Sequence, residues 1–313
     1  MNYMYCIVKG GFNDNLCLIN RGLEYCKKYN RILLVDTINS NYNVDFGNYF
    51  KFKDDNIICD AEKIRKILYD KEVTIYPSIL CEKMNNILDN TIQFTYSKQG
   101  FNYKSIITSL PSSDVSENIV VFVAGGGGNG YPLFKDLIFQ PNNKQIINDR
   151  YNKLIKPYIA IQIRNTDRIC DYEVLYKNNK DEINSAIEIY IATDDKKALN
   201  FFIDKGLPVK NFTTYPNEDK YNNLHYSSVD PHTKFIDMLS DIYICGMAEK
   251  LISSSVGGFI TLIRRCNQNK SELAKQFEII QIPEEENDKM QMYNDNLSDN
   301  ENDNLSDDEN EDE

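Results

Sequence analysis

Histidine is almost missing from this chain of 313 residues, which carries only His225 and His232. Each has a loop or helix-cap context, so imidazole acid–base chemistry has little to draw on. No apolar run approaches the roughly 18 residues of a membrane span, which gives no expectation of a membrane partner. The opening stretch, Met1–Val8, lacks the basic segment and small-residue cleavage site of a signal peptide, and reads as a first strand. The eight cysteines are scattered with no C-x-x-C pair. That argues against a zinc cluster, and for small buried thiols in a reducing, cytoplasmic compartment. No dense Lys/Arg block appears, so a nucleic-acid partner is not expected.

The net charge of −12 is unevenly spread. From Glu284 onward there are 14 acids and one lysine, leaving 33 acids against 34 bases in the body. The acidity therefore belongs to an appendage. There Asp295–Asn302 is nearly repeated as Asp303–Asn310, and too little apolar surface remains to offset chain entropy. Residues 284–313 are expected to be a disordered acidic tail, with Ser298 and Ser306 in contexts that suit an acid-directed kinase. The body, 42% hydrophobic over the whole chain, is large enough for a substantial core.

Its pattern is that of an α/β protein with parallel sheets. Tyr3–Val8 and Arg31–Asp36 read as buried strands flanking a helix over Leu16–Tyr29. Between the first strand and that helix runs Gly10-Gly11-Phe12-Asn13-Asp14-Asn15, read as a loop in which Gly10 and Gly11 permit a tight turn or close approach to a ligand. Its spacing is not G-x-G-x-x-G, so no nicotinamide cofactor is indicated. Residues 37–115 are rich in Tyr and Phe, with helical patterns over Ala61–Tyr69 and Ser78–Leu88; the aromatics read as packing rather than as a sugar-stacking platform. A strand over Glu117–Val123 leads into five glycines among residues 125–130. That segment suits either a substrate cradle, a moving lid or a plain crossover. It is not a P-loop, because no Lys-Ser/Thr follows. Pro141-Asn142-Asn143 marks a boundary.

The second half is clearer. The apolar run Tyr158–Ile163 ends abruptly in Arg164-Asn165-Thr166-Asp167-Arg168. In an open α/β sheet, ligands bind beyond the carboxyl ends of strands, where the planar fork of Arg164 suits a phosphate. A structural ion pair closing the strand is the alternative reading. Glu188–Ala192 is another strand, after which Thr193-Asp194-Asp195 caps a helix over Lys196–Lys205. A helix over Thr233–Cys245 carries Asp237 and Asp241. Lys250–Ile252 is a last strand, and Ser253-Ser254-Ser255-Val256-Gly257-Gly258 leads into a helix over Phe259–Cys266. Hydroxyls and free amides at such a helix start make an anion site.

These stretches, in this order, resemble the GT-B fucosyltransferase superfamily of α1,6-fucosyltransferases, nodulation fucosyltransferases and protein O-fucosyltransferases. Ile161–Arg168 resembles the family's His-x-Arg-Arg-Thr-Asp-Lys segment, and Ile189–Asp195 its strand ending Ala-Thr-Asp-Asp. Ile236–Tyr243 followed by Leu251–Ser255 resembles its Asp-bearing helix and Ser-Ser phosphate turn, and Gly10–Leu16 its Gly-Gly-x-x-Asn-Gln loop. The resemblance covers about half of the chain. It implies two Rossmann-like domains facing a cleft: residues 1–140 on the acceptor side, 141–283 binding the nucleotide sugar, and the tail at 284–313. It also implies inverting transfer of a sugar, fucose from GDP-fucose in the family, to a glycan or protein hydroxyl, with no metal and no cofactor beyond the donor.

Carried over by position, Arg164 binds the donor diphosphate and Ser254 and Ser255 belong to the phosphate turn. Gly10, Gly11, Asn15, Gln162, Asn165, Asp194, Asp241 and Ser253 complete the expected donor site, with Asp14 as the candidate base. Gln162 stands where the family has histidine, and Asn165 where it has a second arginine. No carboxylate stands near Thr214, where some members read guanine; Glu218 and Asp219 are the nearest acids. Two other readings remain open: a nucleotide-sugar or glycan-binding module without catalysis, and a metal-dependent GT-A transferase using Asp194 and Asp195.

Overall fold

The computed structural model describes residues 1–37, 40, 42–69, 73–78, 80, 110–124, 126–165, 169–217, 224 and 227–278. The helix expected to end at Leu88, residues 166–168, Glu218, Asp219, His225 and the acidic stretch with Ser298 and Ser306 lie outside the described residues. Met1–Phe277 forms one unit by its internal contacts.

The first sheet has the order β4-β2-β1-β6-β5, every neighbour parallel. Its strands are β1 (Tyr3–Ile7), β2 (Ile32–Asp36), β4 (Ile57–Ile58), β5 (Ile75–Tyr76) and β6 (Ile119–Phe122). The second sheet, also parallel, has the order β10-β9-β8-β11, from β8 (Ile159–Ile163), β9 (Ile189–Thr193), β10 (Val209–Lys210) and β11 (Lys250–Ile252). A small antiparallel ribbon joins β3 (Phe50–Phe52) to β7 (Leu137–Phe139). Among the described residues the helices are α1 (Phe12–Tyr29), α2 (Ala61–Leu68), α3 (Tyr131–Phe134), α4 (Pro141–Asn152), α5 (Tyr172–Asn178), α6 (Lys180–Ser185), α7 (Lys196–Asp204), α8 (Pro231–Met247), α9 (Gly258–Gln268) and α10 (Lys270–Phe277).

Both sheets are buried on both faces, as parallel sheets are when helices cover them. Period-two alternation sorts their side chains. Met4, Cys6, Val120 and Phe122 of the first sheet and Ala160, Tyr190 and Ala192 of the second belong to one central core. Tyr5, Ile7, Val121 and Val123 face a second core, and Ile159, Ile161, Ile189 and Ile191 a third. Helices α1, α8 and α9 contribute heavily to the central core through residues such as Leu16, Phe235, Leu239, Ile260 and Ile263. An aromatic cluster ties them together: the Phe12 ring lies 5.8 Å from Phe46 and 5.7 Å from Phe235, edge to face.

One expectation changes. Residues 12–15 are not loop, because helix α1 begins at Phe12. Gly11, extended at φ −73° and ψ 168°, is its N-cap, and burial of the Phe12 ring draws the first turn into helical geometry. Asn13, Asp14 and Asn15 are therefore spaced around a helix rather than along an extended loop. Pro141 is the first residue of α4, a position where the missing N–H costs nothing. The Tyr/Phe-rich segment does pack as expected: Phe46, Tyr49 and Phe50 are all at most 2% exposed.

Arg31 fastens the first sheet. Its side chain is fully buried, pairs with Asp114 at 2.8 Å, and donates to the carbonyls of Tyr3, Val115, Glu117 and Asn118. These bonds hold residues 114–118 against the start of β1 and set the entry into β6.

Candidate active site

In each sheet the chain runs outward from one strand and then returns to that strand's other side. The reversal falls beside β1 in the first sheet and beside β8 in the second. Such switch points leave a crevice at the strands' carboxyl ends, where ligands bind in open α/β sheets. Here both crevices open into one cavity of about 530 Å³. Gly10, Gly11, Phe12, Asn13 and Asp14 line it after β1, Gln162, Ile163 and Arg164 after β8, and Ala192, Thr193 and Asp194 around the end of β9. Gly258 and Phe259 open α9 against it, while Lys234, Asp237, Met238 and Asp241 present one stripe of α8. Those four positions are i, i+3, i+4 and i+7, one face of a helix.

Arg164 reaches the cavity by strand alternation. Ala160 and Gln162 point to the inner face of β8, and Arg164, two residues on, continues that row. Its backbone amide donates to Ser255 Oγ at 3.1 Å. A Cβ on Gly257 would lie 3.9 Å from its Nη1, so the guanidinium stands beside the start of α9. Gly257 is the N-cap of that helix with φ +119°, which favours glycine, and makes no side-chain cap. Helix α1 likewise has a glycine N-cap without a side-chain cap. Two helix N-termini and a guanidinium therefore bound the same cavity, a fixed positive field suited to a dianion.

The serine turn serves this geometry from behind. Ser253 Oγ donates to Gln162 Oε1 at 2.9 Å and accepts from the Ser255 amide at 3.1 Å. Ser254 Oγ lies 2.5 Å from Cys170 Sγ. None of the three serines is among the cavity-lining residues, and the hydroxyls of Ser253 and Ser255 tie the turn after β11 to the end of β8. Asn165 is similarly committed. Its amide N–H donates to Asp194 Oδ1 and its side chain to Asp195 Oδ2, both at 2.8 Å, while its Oδ1 accepts from Cys170 N. Asp195 also caps α7 through Lys197 N at 2.9 Å. These bonds give the Asp194-Asp195 pair a structural task at the strand end. Asn15 is fully buried and not among the cavity-lining residues, and its side-chain amide atoms have no hydrogen-bond partner among the described residues.

Asp241 sits at the far end of the α8 stripe. Burial pushes its carboxyl up to about 8, opposed by a 2.5 Å hydrogen bond from Tyr190 Oη and assisted by the charge of Asp237. Asp237 itself is paired with Arg150 at 2.8 Å and accepts from the Thr214 amide at 2.7 Å. A carboxylate does therefore stand at Thr214, delivered by α8 rather than by the neighbouring chain. Burial lowers the pKa of Lys234, against the pull of Asp230.

Sequence reasoning missed Tyr42, whose hydroxyl accepts from the Phe12 amide at 2.7 Å and lines the cavity. Burial raises its pKa. No local signal marks a tyrosine 30 residues away that reaches a helix start. Asn13 and Lys234 were also missed, although both fall within recognised stretches.

No protein-family model matches the chain, and no curated protein does. Solved structures do. The fucosyltransferase NodZ from Bradyrhizobium matches with a TM-score of 0.54 at 16% identity, over 84% of this chain and 93% of that one. NodZ α-1,6-fucosyltransferase co-crystallized with GDP gives the same TM-score and identity, over 84% and 92%. POFUT1 in complex with GDP-fucose matches with a TM-score of 0.51 at 12% identity, over 85% and 93%. This chain has the fold of these fucosyltransferases. At such identities the likeness is one of architecture, and activity has to be argued from the cavity.

Proposed function

We propose that the protein is a GT-B glycosyltransferase that moves a sugar from a nucleoside diphosphate donor to an acceptor hydroxyl with inversion. In this reading residues 1–140 face the acceptor, residues 141–283 hold the donor, and residues 284–313 are an acidic appendage. The observation that carries it is the meeting of Arg164 with the glycine-capped starts of α1 and α9 on one cavity. GDP-fucose is the favoured donor, because similar folds bind GDP and GDP-fucose and because Asp241 and Asp237 offer acceptors for the N–H groups of a guanine.

The acceptor oxygen attacks the anomeric carbon from the face opposite the nucleotide. As that bond forms, the bond from carbon to phosphate oxygen breaks and its electron pair leaves with the diphosphate. Negative charge grows on the leaving group, where Arg164 and the helix amides interact more strongly with the transition state than with the ground state. Asp14, in the first turn of α1 and lining the cavity, takes the acceptor proton. Gln162 and Asp194 line the donor cavity, and Ser253, Ser254, Ser255 and Asn165 hold its wall. The diphosphate charge is met here by protein groups, so a chelator should leave turnover intact.

A thermal-shift panel of GDP, UDP, TDP and their sugars tests the assignment. A ligand at 100 times its dissociation constant should add about 2.7 kcal/mol of stability. GDP and GDP-fucose should give the largest response. A protein indifferent to all of the diphosphates would refute the donor site.

A further inference from the structure

We propose that Asn13 is a positioning residue that latches the glycine-rich segment over Asp14 and thereby fixes the direction of that carboxylate. The proposal rests on reading Asp14 as the proton acceptor. Asn13 is 2% exposed and stands where three elements meet. Its Oδ1 accepts from the Gly130 amide at 2.9 Å, and its Nδ2 donates to the Gly128 carbonyl at 3.2 Å. On its other side it leaves no room at the first residue of α9, since a Cβ on Gly258 would come within 2.4 Å of Asn13 Nδ2.

The latched segment covers Asp14 closely. A Cβ on Gly126 would lie 2.0 Å from Asp14 Cβ and 2.7 Å from its Cα, so backbone rests directly on the aspartate. Gly10 bounds the opposite side, where a Cβ would lie 3.2 Å from Asp14 Oδ2. Asp14 is thus held between two stretches of glycine backbone, one bonded by Asn13. Gly127 and Gly128 have φ of +129° and +115°, a path open to glycine that lets residues 126–130 double back onto α1. With the latch released, Gly126 can lift and Asp14 can rotate away from the cavity.

The test compares wild type with Asn13→Ala and Asn13→Asp. The aspartate keeps the acceptor for Gly130 N but sets a carboxylate oxygen against the Gly128 carbonyl. Three readouts are needed: amide exchange at Gly130, the carbon chemical shift of the Asp14 carboxyl at one fixed pH, and GDP release from GDP-fucose with water as acceptor. In Asn13→Ala, Gly130 exchange should rise about fivefold or more, the equivalent of one lost hydrogen bond. The Asp14 carboxyl resonance should move, and kcat should fall roughly 10- to 100-fold, as misplacement by about 1 Å does. Asn13→Asp should lie between the two. An Asp14 carboxyl resonance unchanged in both variants overturns the latch, whatever the activity. A wild type that neither binds GDP nor releases it from GDP-fucose refutes the transferase reading instead, and the Asp14 resonance still decides the role of Asn13.

Discussion

The two switch points do the same geometric job with different materials. At the second sheet, the cavity wall comes from strand ends and the residues that directly follow them: Gln162 and Arg164 at the end of β8, Thr193 and Asp194 at the end of β9, and Gly258 opening α9 behind the serine turn. At the first sheet the wall is assembled from afar. The Phe12 amide donates to the Tyr42 hydroxyl, and Asn13 grips residues more than 110 positions away. One side is set by strand ends, the other by long-range contacts. Perturbing the first should damage binding locally, and perturbing the second should damage the fold and the site together.

The largest expected effect breaks the long-range side. Arg31→Ala leaves four carbonyls and Asp114 without their shared donor, and should destabilise the protein by about 3–5 kcal/mol in chemical denaturation. A loss below about 1 kcal/mol would mean that residues 114–118 are held by something else. On the local side, Arg164→Ala should lower turnover about 100- to 1,000-fold and largely abolish the GDP-induced thermal shift, while the melting point of the free protein stays near wild type. An unchanged shift would remove Arg164 from the diphosphate site.

A third test sharpens the comparison through pH. Between the ordinary carboxylate value of 3.8 and about 8, folded Asp241 holds a proton that the unfolded chain has released. Its contribution to stability is therefore most favourable below pH 4 and declines as pH rises towards 8. The difference in stability between Asp241→Asn and wild type should drift in the variant's favour over that window. GDP affinity should run the other way: a guanine binds the ionised carboxylate, so wild-type Kd should tighten by up to about tenfold per pH unit below 8 and stay flat in the variant. The smallest effect is at a helix cap. Asp195→Ala removes the cap of α7 and should cost about 1 kcal/mol, with little change in donor affinity.

This contrast also explains what could be read in advance. β8, β9 and β11 are short apolar runs that end in polar residues, and the site follows directly from that break. Their ends at Ile163, Thr193 and Ile252 are visible in the linear chain because the apolar runs stop there, and the Asp195 cap because its bond to Lys197 N spans two residues. The start of α1 was not visible. Glycine, asparagine and aspartate suggest a loop, and the deciding term is burial of the Phe12 ring among Phe46, Phe50 and Phe235, which lie 34 to 223 positions away. For the same reason Asn15, expected at the donor, faces the interior. The serines were located correctly in the chain, but their hydroxyls bond to Gln162, the Ser255 amide, the Arg164 amide and Cys170, partners that only the paired strands reveal.

Phe12 joins these two scales in a single residue. Its ring is gripped by Phe46, Phe50 and Phe235, while its N–H, less than a residue's length away, is held by Tyr42 Oη at the cavity wall. Anchoring of that kind stops the amide from swinging aside when a charged guest arrives or when charge flows onto a departing group. Trimming the ring therefore has a cost beyond a hole in the interior, because it unmoors a dipole that has to stay still while the chemistry happens.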